Sequence, residues 1–178
     1  MRELRSRGRP AFTLVELIIV MLVIGILAVV AAPRYADSIM RFRAEAAARR
    51  IAADLNLVRQ NAITRSGGSF GAEWVRFYSS SDRYQLTNDA DIDRPTEEYW
   101  VDFDETPYPV DLVSAAFTNK YGYTSNSIVK YDMHGVAKSG LPPFFPDAQL
   151  TSGTIVVAVG NEQRTVVIDP VTGEASVQ

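Results

Sequence analysis

Three hydrophobic patterns follow one another along the chain. From Phe12 to Ala32, apolar residues run almost unbroken for 21 positions, and Glu16 is the one charge among them. As an α-helix rising ~1.5 Å per residue, this run spans ~31 Å, about the thickness of one hydrocarbon core. Residues 34–65 contain no proline and no glycine. Within them Met40, Ala44, Ala47, Ile51, Leu55, Val58 and Ala62 recur at steps of three and four. That spacing predicts an amphipathic helix with a single apolar stripe, which packs on a sheet more simply than it forms a coiled-coil seam. Arg41, Glu45 and Arg49 fall at i,i+4 spacing on another face. Pro33 sits where the two patterns join and predicts a kink, because it has no amide hydrogen and its ring crowds the preceding turn.

Ser66-Gly67-Gly68-Ser69 ends the helix, and the period changes. Glu73–Tyr78 and Arg83–Thr87 alternate around Ser79-Ser80-Ser81-Asp82 and read as a hairpin. Tyr99–Phe103 and Ser127–Asp132 read as strands, and Leu112–Thr118 gives mixed signals. Thr154–Val159 and Arg164–Ile168 flank Gly160-Asn161-Glu162-Gln163, the clearest hairpin in the chain. Pro170-Val171-Thr172-Gly173 is a turn before a last short strand, Glu174–Val177. Pro142, Pro143 and Pro146 predict a surface loop within residues 137–150. The expected fold class is therefore α+β: a long N-terminal helix, transmembrane and then amphipathic, packed against a C-terminal antiparallel sheet head.

Charge is spread unevenly. Residues 1–11 hold four arginines, whereas the chain from Ser66 onward carries 7 basic and 16 acidic residues, a net of −9. Arginines before an apolar helix favour keeping that end in the cytoplasm, so the chain should cross once with its head outside. The acidic head argues against a nucleic-acid partner, since phosphate binding needs clustered Lys and Arg. With no cysteine there is no disulfide framework, zinc–thiolate site or thiol nucleophile. With one histidine, His134, no multi-histidine metal site is available. The rival reading of the N-terminal run is a removable secretory signal, with small residues at Ala28 and Ala31-Ala32. Pro33 directly after that point hinders cleavage. A carboxylate such as Glu16 has no use in a plain signal, because a charge within a bilayer costs a few kcal/mol and is usually kept for a task.

Phe12-Thr13-Leu14-Val15-Glu16-Leu17 resembles the type III signal of prepilins and pseudopilins. The resemblance implies that a prepilin peptidase cuts between Ala11 and Phe12 and methylates the new amine of Phe12. It also implies that Glu16, four residues after the Phe, pairs with the amine of a neighbouring subunit and sets the axial register of a filament. Pro33, 21 residues after the Phe, matches many members. One departure is Ala11, where a glycine is usual; the nearest glycine, Gly8, would misplace Glu16. The head resembles, with weaker motifs, the GspH/FimT group of minor pseudopilins. The matching parts are the long helix, the first hairpin, Tyr131 to Gly135 and the ending Arg164 to Gly173. FimT-like members that bind DNA carry arginines after the final glycine, whereas Gly173 is followed here by Glu174-Ala-Ser-Val-Gln.

These readings divide the chain into a leader (1–11), a transmembrane helix (12–33), the amphipathic half of the helix (34–66) and a periplasmic head (67–178). Within the head lie an acidic insertion, 88–111, and the proline-rich loop, 137–150. The expected partners are prepilin peptidase, other pseudopilins or pilins through the N-terminal helix, and the inner membrane. No cofactor and no enzymatic activity are expected. Gly67-Gly68-Ser69-Phe70-Gly71 fits a hydrolase pattern literally, but that motif needs a strand before it and a helix after, the reverse of the order here. Residues 88–111 carry nine acids and one base, and Asp89, Asp91 and Asp93 have the spacing of a calcium loop. The sixth position is Arg94 and the twelfth Trp100, which excludes an EF-hand. A looser calcium loop and a solvated acidic insertion remain the two readings. Trp74, Trp100, Phe144 and Phe145 are read as core or loop packing, with contact to a neighbouring pilin as the alternative.

Overall fold

The structure is a computed structural model of the full chain. It describes residues 12–65, 73–90, 96, 98–106, 109–141 and 145–178, with the backbone alone at 30–33, 88–90, 141 and 145. The leader with Ala11, the Gly67–Gly71 stretch, Asp91, Asp93, Pro142, Pro143 and Phe144 lie outside these residues, as does the side chain of Asp89.

The helix predicted from both halves of the pattern is α1 (Leu14–Thr64, 51 residues). Its chain divides into two compact units at Ile39/Met40. In the first unit the apolar residues from Phe12 to Val29 are exposed, for example Leu14 at 73 % and Leu22 at 60 %. Among the described residues no single helix is long and apolar enough to cross a membrane, but Leu14–Val29 and Arg34–Thr64 meet the length and composition requirements together.

In the second unit, α1 lies on antiparallel strands β1 (Glu73–Tyr78), β2 (Arg83–Ala90), β3 (Glu98–Asp102), β4 (Asp111–Asn119), β5 (Thr124–Ser125), β6 (Ile128–Tyr131), β7 (Ala137–Leu141), β8 (Phe145–Val159), β9 (Glu162–Ile168) and β10 (Ala175–Val177). The spatial order is β10-β9-β8-β7-β6-β1-β2-β3, with β4 paired to β8 and β5. The 15-residue β8 serves two neighbourhoods. Its first part pairs with β7, and its remainder is flanked by β4 and β9.

The predicted stripe is the core face. Ala44, Ala47, Ile51, Leu55, Val58 and Ala62 are buried, joined by Ala48 and Ala52, and Met40 is half-buried. They meet Val75, Phe77, Tyr84, Leu86, Phe117, Val129 and Tyr131 from the sheet. Alternation on β1 sends Glu73, Val75 and Phe77 inward and Trp74, Arg76 and Tyr78 outward. Phe77 stacks on Tyr84 with ring centroids 5.6 Å apart, Tyr84 leans on Phe103 at 5.6 Å, and Phe77 on Phe117 at 5.7 Å. Rings at these separations add to the area they bury.

The expected 137–150 loop is corrected. Residues 137–141 and 145–150 are the arms of a hairpin, with Ser139 opposite Ala148 and both buried. The prolines gave the loop signal, yet Pro146 stands at the exposed beginning of β8 next to a register shift, where a strand tolerates a missing amide hydrogen. Leu112–Thr118, mixed in sequence, belongs to β4, which pairs with β8 from Asp111 to Asn119. Trp74 and Trp100 are neither core nor loop. They stand on β1 and β3, on the face turned away from α1.

Candidate functional site

The first candidate site is the start of α1. Leu14 is the first helical residue, and the hydroxyl of Thr13 accepts the amide hydrogen of Glu16 at 3.3 Å. Leu17 N–H bonds the Thr13 carbonyl at 3.2 Å. Thr13 thus acts as the N-cap, and Glu16, three residues on, occupies the position of the acid in a capping box. A carboxylate in the first turn also suits the positive end of the helix dipole. Glu16 is exposed, as are the apolar side chains that follow it to Val29. One carboxylate therefore stands at the mouth of an apolar surface that its own chain leaves uncovered. Phe12, the residue after the expected cut, is 79 % exposed. Pro33 falls inside α1, among the residues described by backbone alone.

A second cluster fixes the helix to the head. Two turns of the same design stand side by side. In Asp132-Met133-His134-Gly135, the Asp132 carboxylate accepts the N–H groups of His134 at 2.9 Å and Val136 at 3.0 Å, and pairs with Lys138 at 2.8 Å. In Asp169-Pro170-Val171-Thr172-Gly173, the Asp169 carboxylate accepts the N–H groups of Val171 at 2.8 Å and Thr172 at 2.7 Å. Gly135 and Gly173 both take left-handed backbone, φ 75° and 73°. A Cβ on Gly173 would overlap the Gly135 carbonyl. Arg59 of α1 donates to Thr172 O at 2.8 Å and to Gly135 O at 3.3 Å, so one guanidinium ties both turns to the helix. The two motifs that carried the weaker family resemblance, Tyr131–Gly135 and Arg164–Gly173, are therefore one structural feature. Sequence reading missed Arg59; its only signal is a cation beside the apolar stripe, next to Val58.

Burial opposes ionisation of Asp132, but Lys138 and the amides of Val136 and His134 outweigh it and hold the carboxyl below its usual range. The amides of Thr172 and Val171 lower Asp169 in the same way. Further along α1, Asn56 donates to Ala175 O at 2.9 Å and accepts from its N–H at 3.0 Å, closing the edge of β10. Glu45 bonds Arg164 at 2.9 Å and Arg49 at 2.9 Å, and Arg41 bonds Glu162 at 3.0 Å. The face read as an i,i+4 charge ladder thus also reaches the β8–β9 hairpin. Tyr84 donates to Asp54 at 2.5 Å, and burial together with the Asp54 charge pushes its phenol well above the usual range.

His134 is an exposed turn residue. Among the described residues, no group of three or more His, Asp or Glu side chains is placed to hold a metal ion. Of the expected calcium ligands, only the backbone of Asp89 is described, at the end of β2.

Residues 6–32 match the family model described as the prokaryotic N-terminal methylation motif. No curated protein and no solved structure matches the chain.

Proposed function

The chain carries the prepilin motif of type IV pilins and pseudopilins, and we propose that it is a minor pseudopilin of the GspH/FimT kind in a type II secretion pseudopilus. The same motif serves type IV pilins, and a minor pilin of a type IV pilus is the second reading. Its work is assembly rather than chemistry. The arginines of the leader keep that end in the cytoplasm and the head in the periplasm. Prepilin peptidase removes residues 1–11 and methylates Phe12, and α1 then bundles with the helices of other subunits, with Pro33 loosening one turn.

The observation that carries this reading is Glu16. It is the one charge between Phe12 and Pro33, and it lies exposed on the first turn of a helix whose apolar side chains are exposed as well. Once the chain begins at Phe12, a cationic amine stands four residues from Glu16. In a bundle of such helices, the amine of one subunit meets Glu16 of the next. In low dielectric a paired charge is far better than two unpaired ones, so the pairing selects the axial step. The test is Glu16→Ala in native cells. Export of the head to the periplasm is expected to persist, while recovery in sheared filaments falls by about tenfold or more, the scale set by a lost buried charge pair. Assembly at the wild-type level would contradict the reading.

A further inference from the structure

The face of the sheet turned away from α1 carries rings and cations in register. Trp74, Arg76 and Tyr78 point outward from β1. Arg83 lies opposite Tyr78 on β2, Trp100 lies opposite Gln85 on β3, and Lys130 lies opposite Trp74 on β6. The Arg83 guanidinium lies 5.5 Å from the Tyr78 ring and 5.1 Å from the Trp100 ring, and those two rings stack at 5.4 Å. Arg76 lies 4.7 Å over the Trp74 ring and reaches the Tyr78 hydroxyl at 3.5 Å. A groove of about 350 Å³ continues this surface, lined by Trp74, Arg76, Ile128, Lys130 and Asp147. Trp100 is 39 % exposed, and Arg83 is exposed too.

The carboxylates nearby have other polar partners, and the guanidiniums meet none of them, although Asp102 lies opposite Arg83 in the β2–β3 register. Asp147 pairs with Lys130 at 2.9 Å, Glu98 accepts from Gln85, and Asp102 accepts the amide hydrogen of Asp104 at 3.0 Å. Among the described residues, neither Arg76 nor Arg83 meets a carboxylate; their partners are rings and a phenol. A guanidinium has five N–H donors in a planar fork that fits a carboxylate with two bonds, and stacking on a ring limits the freedom lost when it does so. Trp, Tyr and Arg are also the residues that dominate the energetic centres of protein–protein interfaces.

We propose that this face binds an acidic, extended segment of another protein chain, its carboxylates meeting Arg83 and Arg76 and its apolar side chains lying on Trp100, Tyr78 and Trp74. Two cations on a head of net charge −9 suit a short acidic segment better than a long polyanion. Salt screens all but the nearest charges over ~8 Å at physiological ionic strength, so a short segment meets mainly the two cations, whereas a long polyanion also meets the acidic surface around them. This inference is independent of the filament reading, since it concerns binding by the head alone.

The test uses the full chain in detergent micelles and a fluorescent synthetic peptide copying residues 88–98, chosen for its charge. Saturable binding is expected, weakened roughly tenfold by Arg83→Gln or Trp100→Ala, the loss of one interface anchor. Arg83→Lys is expected to weaken it as well, because the charge stays but the fork is lost. A peptide with Asn and Gln in place of its acids is expected to bind far less. Absence of binding, or equal binding by variants whose circular dichroism matches the wild type, would overturn the proposal. So would tighter binding of a single-stranded oligonucleotide or a neutral oligosaccharide. Self-association of the chain that Arg83→Gln abolishes, without peptide binding, would overturn it in favour of a second copy.

Discussion

Leu22 and Leu55 are the same residue in the same helix, yet one is 60 % exposed and the other 1 %. The two halves of α1 share a secondary structure, and they differ in how their apolar residues are spread and in how far these are buried. From Ala44 to Ala62 the apolar residues keep to one stripe, because a sheet waits for that stripe alone and water takes the remainder. From Leu14 to Val29 they go all the way round, a pattern that suits a surrounding of lipid or other helices. A helix of the second kind is unfinished by itself, and in the proposed function Glu16 at its start selects its neighbours.

Truncations on the two halves should differ sharply in their effect. Leu55→Ala should destabilise the head by about 2–5 kcal/mol in chemical denaturation, while Leu22→Ala should leave it within ~0.5 kcal/mol. Equal effects would mean that the two halves do not differ as described. Gly173→Ala should cost about 2–3 kcal/mol, because a left-handed backbone and the Gly135 carbonyl both oppose a side chain there. A full wild-type melting temperature would mean that the two turns do not interlock as described. Acid should loosen the same turns. Asp132 and Asp169 titrate below their ordinary value of 3.8 in the folded head, so the stability they give is present above pH 3.8 and is lost as pH falls through their lowered values. Asp132→Asn should flatten that part of the pH–stability curve, and an unchanged curve would count against the Lys138 and amide contacts as its cause. The smallest effect is expected from Tyr131→Phe. The Tyr131 hydroxyl is buried without a hydrogen-bond partner among the described residues, and burial pushes its phenol far up. Removing it should change stability by less than ~0.5 kcal/mol, or raise it. A loss above 1 kcal/mol, on the scale of a typical net hydrogen bond, would reveal a partner for it.

The helix was legible because its signal is periodic and local. Seven stripe positions at steps of three and four predict which face is buried, and six of the seven are buried, with Met40 half-buried. The clear hairpins were legible for the same reason, through alternation around turn residues. The β7–β8 hairpin was not, because three prolines outweighed an alternation whose partner, Ser139 against Ala148, is a small polar residue against a small apolar one. Arg59 could not be found by pattern at all. Its two carbonyl partners lie 76 and 113 residues away, and nothing local distinguishes it from a solvated arginine. The N-terminal site stands apart. Its motif resides in contiguous residues, so the segment from Phe12 to Leu17 was readable as a unit, and the structure adds the capping contact between Thr13 and Glu16.

In the proposed function Phe12 becomes the first residue of the working protein. The mass of the N-terminal peptide from the membrane fraction of native cells tests it directly. A peptide beginning at Phe12 and carrying one extra methyl group is expected. A peptide beginning at or after Ala32, or one that still begins at Met1 or Arg2, would contradict it.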